Sequence, residues 1–162
     1  MSTTRKIITA SMLAALTFVA TVIIKIPSPL NGYINLGDAL VLLTGYLLSP
    51  LYAFLSAGIG SALADLYSGY FIYAPITFII KGVMAFVFSL TARSQRLVKK
   101  TMLAVICELI MIGGYYVFEG FLYGFIPSLV NVVPNMIQGI AGMIIGIMLI
   151  SAFKKYKVIK KS

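Results

Sequence analysis

Histidine and tryptophan are absent from this sequence, cysteine occurs once, and only four of its 162 residues are acidic. Each scarcity excludes chemistry. Without histidine there is no His-based metal site and no imidazole general base. The lone thiol, Cys107, forms no internal disulfide. The acids Asp38, Asp65, Glu108 and Glu119 are not paired at close spacing. No His/Glu metal motif, no Gly-x-Ser-x-Gly nucleophile turn and no glycine-rich phosphate loop is found. The residues argue against an enzyme, and no metal or other cofactor is expected. An ATP-binding motif is also missing, so any energy for work comes from a gradient or from partner subunits.

Charge is scarce too. Charged residues make up 10% of the chain and hydrophobic ones 60%, with a mean hydropathy of +1.03. A soluble domain of this size needs far more charged surface. The apolar residues also come in runs of membrane length, so the sequence reads as one integral membrane domain over 1–162. The first run, 7–24, is too long for a signal-peptide core and lacks a clear cleavage site; it reads as a membrane helix. The net charge of +9 does not form a nucleic-acid patch. Its basic residues cluster at Arg5-Lys6, 93–100 and 154–161, between or beyond apolar runs, as cytoplasmic topology signals do. The same charges suit anionic lipid headgroups.

Four spans follow directly: 7–24, 75–91, 101–121 and 129–153. At about 1.5 Å per residue each crosses a core of about 30 Å, the shortest only just. The stretch 38–66 is long for one helix and short for two. Ser49-Pro50 interrupts it, and proline suits the first turn of a new helix. It therefore reads as a hairpin of short helices, 38–48 and 50–66. The expected fold is an all-α membrane protein with six transmembrane helices and both termini cytoplasmic. The positive-inside rule prefers this narrowly over five spans with the N-terminus outside.

In that arrangement three segments face outward: 25–37, 67–74 and 122–128. They hold Pro27, Pro29, Asn31, Gly32, Asn35, a set of tyrosines and phenylalanines, and Pro127. Interfacial aromatic belts account for part of this. The tyrosines of 67–73 are also suited to stacking on a planar ligand. Asp38 and Asp65 fall at the outer ends of helices and read as hydrated caps, Asp38 favoured beside a helix N-terminus.

Ionisable groups inside a bilayer are expensive and usually face a cavity or a partner. Lys81 lies two turns into the fourth span. Glu119 lies near the outer end of the fifth, with Tyr115 one turn deeper. Depth counting puts Lys81 and Glu119 at one level, either paired across a cavity or both facing a polar ligand. The alternative is that Lys81 snorkels outward and Glu119 is simply hydrated. Glu108 shares a face with Tyr115 and Glu119, and its role is open between function and an interhelical hydrogen bond. Asn131, Asn135 and Gln138 form one stripe at i, i+4 and i+7, as helix glue or as a site wall. Gly139, Gly142 and Gly146 read as close helix packing. A channel would want a ring of like polar residues, which this asymmetric cluster does not suggest. A small-solute binding or transport subunit fits best.

Three runs carry a resemblance: Tyr-Ile-Asn-Leu-Gly-Asp-Ala at 33–39, Gly-Ser-Ala-Leu-Ala-Asp-Leu-Tyr-Ser-Gly-Tyr at 60–70 and Tyr-Ala-Pro-Ile-Thr-Phe-Ile-Ile-Lys-Gly at 73–82. With the length, the six spans and the basic C-terminus, the chain resembles the substrate-binding S components of energy-coupling-factor (ECF) vitamin transporters. The runs match the riboflavin-type branch, which also holds carriers for hydroxymethylpyrimidine, pyridoxine-like compounds and pantothenate. The resemblance implies a bacterial plasma-membrane complex with one membrane T subunit and two cytoplasmic ATPases. It implies vitamin capture at the outer face under outer loops, here 25–37 and 67–74. The S component then topples when docked on the T subunit, and ATP hydrolysis resets it. An Ala-x-x-x-Ala motif meets the T subunit in that family, and Ala10 and Ala14 fit it, though the same flat strip also suits packing within the chain.

Within that frame the pocket residues are Asn35, Tyr73, Lys81, Tyr115, Glu119, Asn131, Asn135 and Gln138. Apart from those inside the three runs, they come from depth and helix face. One cation and one or two anions beside amides suit a small, polar, uncharged or zwitterionic heterocycle. That favours a pyrimidine or pyridine vitamin precursor over riboflavin or pantothenate. A stand-alone facilitator or lipid-interacting helper is the other live reading.

Overall fold

The computed structural model describes residues 3–30, 32–90 and 96–159, and side chains to Lys155. Asn31, Arg93 and the last lysines lie outside the described residues. The chain is almost entirely helical. In order it forms α1 (Thr3–Ile23), strands β1 (Lys25–Pro27) and β2 (Tyr33–Asn35), α2 (Gly37–Leu47), α3 (Pro50–Tyr67), α4 (Ala74–Ser89), α5 (Leu97–Tyr123), a single turn α6 (Phe125–Ser128), a 3-10 turn (Leu129–Asn131) and α7 (Val132–Ile159). The six long helices match the expected spans in order and kind.

Length separates them. α1, α5 and the stretch Phe125–Lys155 are long and apolar enough to cross a membrane alone, whereas α2 and α4 are shorter apolar helices. At about 1.5 Å per residue, the 11 residues of α2 reach only about halfway across a bilayer core. It makes up for this by position. α2 packs against α1, α3, α4 and α7, and Ala39, Val41, Leu42 and Thr44 on it are fully buried. The break before α3 falls where expected: Ser49 is extended and Pro50 opens the helix, since its fixed φ suits the first turn and its missing N–H costs nothing there.

Leu42, Met84, Phe88, Cys107 and Met111 form the fully buried core between α2, α4 and α5. Large apolar side chains such as Met12, Leu51, Leu109 and Met148 point outward. In water such a surface would aggregate; in lipid it is what a multi-pass membrane protein presents. Thr17 and Thr21 on α1 return their hydroxyls to the carbonyls one turn back, both at 2.8 Å. This satisfies a polar group where no water is available.

One element was not expected. The segment after α1 is a short antiparallel hairpin with Ile26 opposite Ile34 and Pro27 opposite Tyr33. A 2.9 Å bond from Ser28 N–H to the Gly32 carbonyl closes its turn. Three residue pairs with a proline give little periodicity, so sequence pattern alone shows only a loop. The last span also differs. Gly124 ends α5 with φ +93°, a conformation open to glycine and strained for other residues. The chain then makes α6 and the 3-10 turn before α7 begins, so Asn131 sits in that turn rather than on the long helix.

Close packing by the glycines of α7 holds. A Cβ on Gly142 would meet Asp38 Cβ at 2.6 Å, and one on Gly146 would meet Leu42 Cδ1 at 3.1 Å. Small residues there bring α7 against α2. Gly139 faces α5 instead, at Glu108.

Candidate ligand-binding site

The polar residues converge at the hairpin end of the bundle in three connected groups. The first ties α2, α4 and α7 together. Asp38, fully buried one residue inside α2, receives the Lys81 ammonium on Oδ1. Its Oδ2 accepts Gln138 Nε2 at 2.7 Å. Gln138 Oε1 then accepts the Asn35 backbone N–H at 2.9 Å and its side-chain amide at 3.3 Å. Asn35 Oδ1 accepts the Gly37 N–H at 2.8 Å, satisfying one of the free donors at the start of α2.

Asp38 is therefore not the expected hydrated cap. Of the two readings of Lys81 and Glu119, the direct pair is removed, since Lys81 pairs with Asp38. Depth counting misplaced Asp38 because β2 and the loop into α2 fold over the helix start, burying it one layer down. The long lysine stem then spans the remaining distance. Lys81 does not snorkel outward; it is 3% exposed.

The second group holds the hairpin turn. Glu119 Oε1 accepts Asn131 Nδ2 at 2.9 Å and the Tyr73 hydroxyl at 3.3 Å. Asn131 also takes both sides of Leu30, accepting its N–H at 3.4 Å and donating to its carbonyl at 3.2 Å. The single Tyr73 hydroxyl proton is shared between Glu119 and the same carbonyl, also at 3.3 Å. Glu119 is thus buried and bonded rather than wet.

The third group is an aromatic arc. The Tyr33 hydroxyl donates to Asp65 Oδ1 at 2.5 Å. Ring centroids run from Tyr33 to Tyr70 at 4.9 Å, Tyr70 to Tyr73 at 6.4 Å and Tyr73 to Phe118 at 5.4 Å. Lys25 Nζ lies 5.5 Å from the Tyr33 ring and 5.7 Å from the Tyr70 ring at the exposed rim. Burial, then the nearby Asp65 charge, pushes the Tyr33 phenol well above its usual value. Burial does the same at Tyr73, helped by a hydrogen bond with Tyr123 and by Glu119. Both phenols remain donors at neutral pH. Asp65, expected as a hydrated cap, is 4% exposed; the loop after α3 folds back so that its backbone carbonyl caps Tyr70 N–H at 2.9 Å.

The three groups enclose a cavity of about 40 Å³. Asn35, Tyr73, Lys81, Tyr115, Glu119, Asn135 and Gln138 line it, so seven of the eight expected residues come together. Asn131 does not line it; it stands behind Glu119 and anchors Leu30. Tyr115 bonds Thr77 at 2.9 Å, with its ring 5.5 Å from Lys81 Nζ. Sequence reasoning takes Asp38 and Asp65 as caps and gives Tyr33 no role, whereas Tyr70 is among the tyrosines of 67–73 marked for stacking. The signal for the acids is their place inside apolar stretches, which helix-end capping explains too readily.

Ala10 and Ala14 lie elsewhere, on the side of α1 facing α3. They line an apolar groove of about 830 Å³ with Ile7, Tyr52 and Ile59. The Ala10 carbonyl also accepts the Ser56 hydroxyl at 2.7 Å, so this strip both packs inside the chain and borders open lipid-facing surface.

Residues 1–155 match the family described as ECF-type riboflavin transporter, S component. An uncharacterised protein of Pyrococcus woesei is 33% identical over 108 residues, covering 65% of this chain and 72% of that protein. Two solved structures share the fold. The S component of a bacterial ECF transporter aligns with a TM-score of 0.67 at 23% identity, over 94% of this chain and 97% of that one. The S component for biotin from an ECF-type ABC transporter aligns at 0.68 and 16% identity, over 94% and 92%.

Proposed function

We infer that this chain, which belongs to the S-component family of ECF-type riboflavin transporters, takes its ligand in the cavity beneath the β1–β2 hairpin. As a member of that family it is the membrane-embedded, substrate-binding subunit of a vitamin transporter. The observation that supports this site is the convergence of polar side chains from α3, α4, α5, α7 and the hairpin on one cavity, in a bundle whose buried core is mostly apolar. Buried polar groups in lipid mark substrate paths.

The ligand we propose is a pyrimidine or pyridine vitamin precursor, with hydroxymethylpyrimidine or a pyridoxine-like compound ahead of riboflavin or pantothenate. Size and chemistry support this. The enclosed space is about 40 Å³, far below typical ligand pockets of about 300 Å³ and more. Any vitamin must displace the hairpin and the 68–73 turn, and a single six-membered ring displaces least. The tyrosine arc offers ring faces, and Asn35, Asn135 and Gln138 offer amides.

In this reading the hairpin end faces outward, both termini are cytoplasmic, and the chain works with one T subunit and two ATPases. The groove at Ala10 and Ala14 is the T-subunit contact, and the chain topples to deliver its cargo. Purification in mild detergent, denaturation and mass spectrometry of the released small molecules tests the ligand. A stoichiometric vitamin or precursor is expected; lipid alone would overturn the binding site. Co-expression with an ATPase–T module tests the assembly. A stable complex is expected, and a clean monomer with unaided uptake would make the chain a facilitator instead.

A further inference from the structure

Three residues that line the cavity each carry a buried polar atom with no hydrogen-bond partner: Asp65 Oδ2, Glu119 Oε2 and Ser61 Oγ. These residues are 4%, 2% and 2% exposed. Buried acceptors without donors are costly, and carboxylate oxygens most of all. Elsewhere in this site every carboxylate oxygen is used. Asp38 spends both, on Lys81 and Gln138. Asp65 and Glu119 each spend one, on Tyr33 and on Asn131 with Tyr73.

Among the described residues that line the cavity Lys81 alone is basic, and it is committed to Asp38. Lys25 stays exposed at the rim over the Tyr33 and Tyr70 rings. Thr77 lies beside Asp65 and also pairs with the Tyr115 hydroxyl at 2.9 Å, either of the two donating. The wall therefore offers acceptors on two sides, with the tyrosine arc running between them.

We propose that Asp65 and Glu119 form a two-sided acceptor clamp that selects a ring carrying N–H donors, an amino-substituted or protonated heterocycle, and rejects carboxylate- or phosphate-bearing ligands. This rests on the cavity being the vitamin site and narrows its substrate class. A donor on each edge of the ring completes both carboxylates, and a positive charge on the ligand compensates them in a medium where unpaired charge is expensive. An anionic ligand adds a third negative group facing the same two. Ser61 then takes a hydroxyl or a further donor of the ring.

The test measures binding to the purified full chain in lipid nanodiscs with matched probes. These are 4-amino-5-hydroxymethyl-2-methylpyrimidine, its 4-methyl counterpart, which has no donor at that position, and pantothenate as the anion. The amino compound is expected to bind about 100-fold more tightly than the methyl one, because a site built for a donor rejects an isostere that lacks it strongly. Asp65→Asn and Glu119→Gln, each close in shape to the native residue, are expected to cut that ratio to below about 10-fold. Met148→Leu, on the outward-facing apolar surface and outside the cavity lining, keeps it. Equal affinity for the two pyrimidines, tighter binding of pantothenate, or an unchanged ratio in both carboxylate variants overturns the clamp. So does no binding of any probe. Co-purification with the T subunit and ATPases, measured in parallel, reports on the transporter reading separately and survives each of those failures.

Discussion

The Lys81 ammonium rests on the Asp38 carboxylate with both side chains buried, 4% and 0% exposed. The two residues stand 43 positions apart, and their contact fastens α4 to α2 beside the cavity that Lys81 lines. Gln138 holds the other Asp38 oxygen at 2.7 Å, which adds α7 to the same joint. A charged pair in lipid is tolerated here because every strong acceptor of Asp38 is engaged.

Breaking that pair from one side should be severe. Lys81→Met leaves Asp38 as an uncompensated buried charge, and Asp38→Asn leaves Lys81 so. Each is expected to cost about 3–5 kcal/mol. The double variant removes both charges with little change in volume, and should recover most of the loss. Thermal unfolding in detergent micelles decides it. If each single variant were as stable as the double, the pair would carry no stability.

Gly142→Ala places a Cβ 2.6 Å from Asp38 Cβ, closer than real carbon contacts. α7 must move off α2, at about 1–3 kcal/mol, and Gln138 on the same helix is drawn from Asp38. Gly146→Ala meets the movable Leu42 Cδ1 at 3.1 Å and should cost less. Ligand affinity and melting temperature are expected to fall together for Gly142→Ala, with Gly146→Ala nearer to wild type. Equal effects would mean that the Asp38 contact is not what limits the approach.

The six helices were readable because long apolar runs and Ser49-Pro50 are local signals. So was most of the site: Tyr115 and Glu119 share a face of α5 and Gln138 falls on the inner face of α7, as their spacing dictates. What the sequence hides is the third dimension of the loops. Whether Asp38 and Asp65 are wet or buried depends on the hairpin and the 68–73 turn folding over them. Partner choice for Lys81 is a tertiary fact as well, since Asp38 and Glu119 are both acids near one level. Asn131 shows the converse, a residue placed in the right neighbourhood whose side chain holds the loop rather than the cavity.

Alkaline pH should loosen the hairpin. The Tyr33 phenol is raised above its ordinary value of 10.0, so the folded chain keeps a proton that the unfolded chain releases. The stability it contributes is complete below that ordinary value and is lost progressively as pH rises above it. Unfolding measured between about pH 9 and about pH 11.5 should show a falling slope that is shallower in Tyr33→Phe. An identical slope in the variant would show that Tyr33 is not buried against Asp65 in solution.

Ala14→Arg should abolish assembly with the T subunit while leaving ligand binding intact. Ala14 is half-buried along the α1–α3 groove, and its carbonyl would lie 2.4 Å from a Cβ on Gly60. The backbones are therefore close there, and a long cationic side chain has only the open groove to occupy. Pull-down with an ATPase–T module reads the first effect and ligand titration the second. Intact assembly would move the docking face elsewhere.

Glu108 should be dispensable for folding, unlike Lys81 and Asp38. It is 5% exposed, and both its carboxyl oxygens are buried without a hydrogen-bond partner. Its stem packs on Gly139, where a Cβ would lie 3.2 Å away, at the edge of an apolar cleft between α5 and α7 with Leu109, Ile112 and Met143. A carboxyl in such a place contributes desolvation cost and no bond in return. Glu108→Met keeps the unbranched stem beside Gly139 and removes that cost, so the melting temperature should hold or rise. Glu108→Gln keeps a polar head without a partner and should gain less. A loss of stability in Glu108→Met, with Glu108→Gln unaffected, would mean that the carboxyl finds a donor in the membrane.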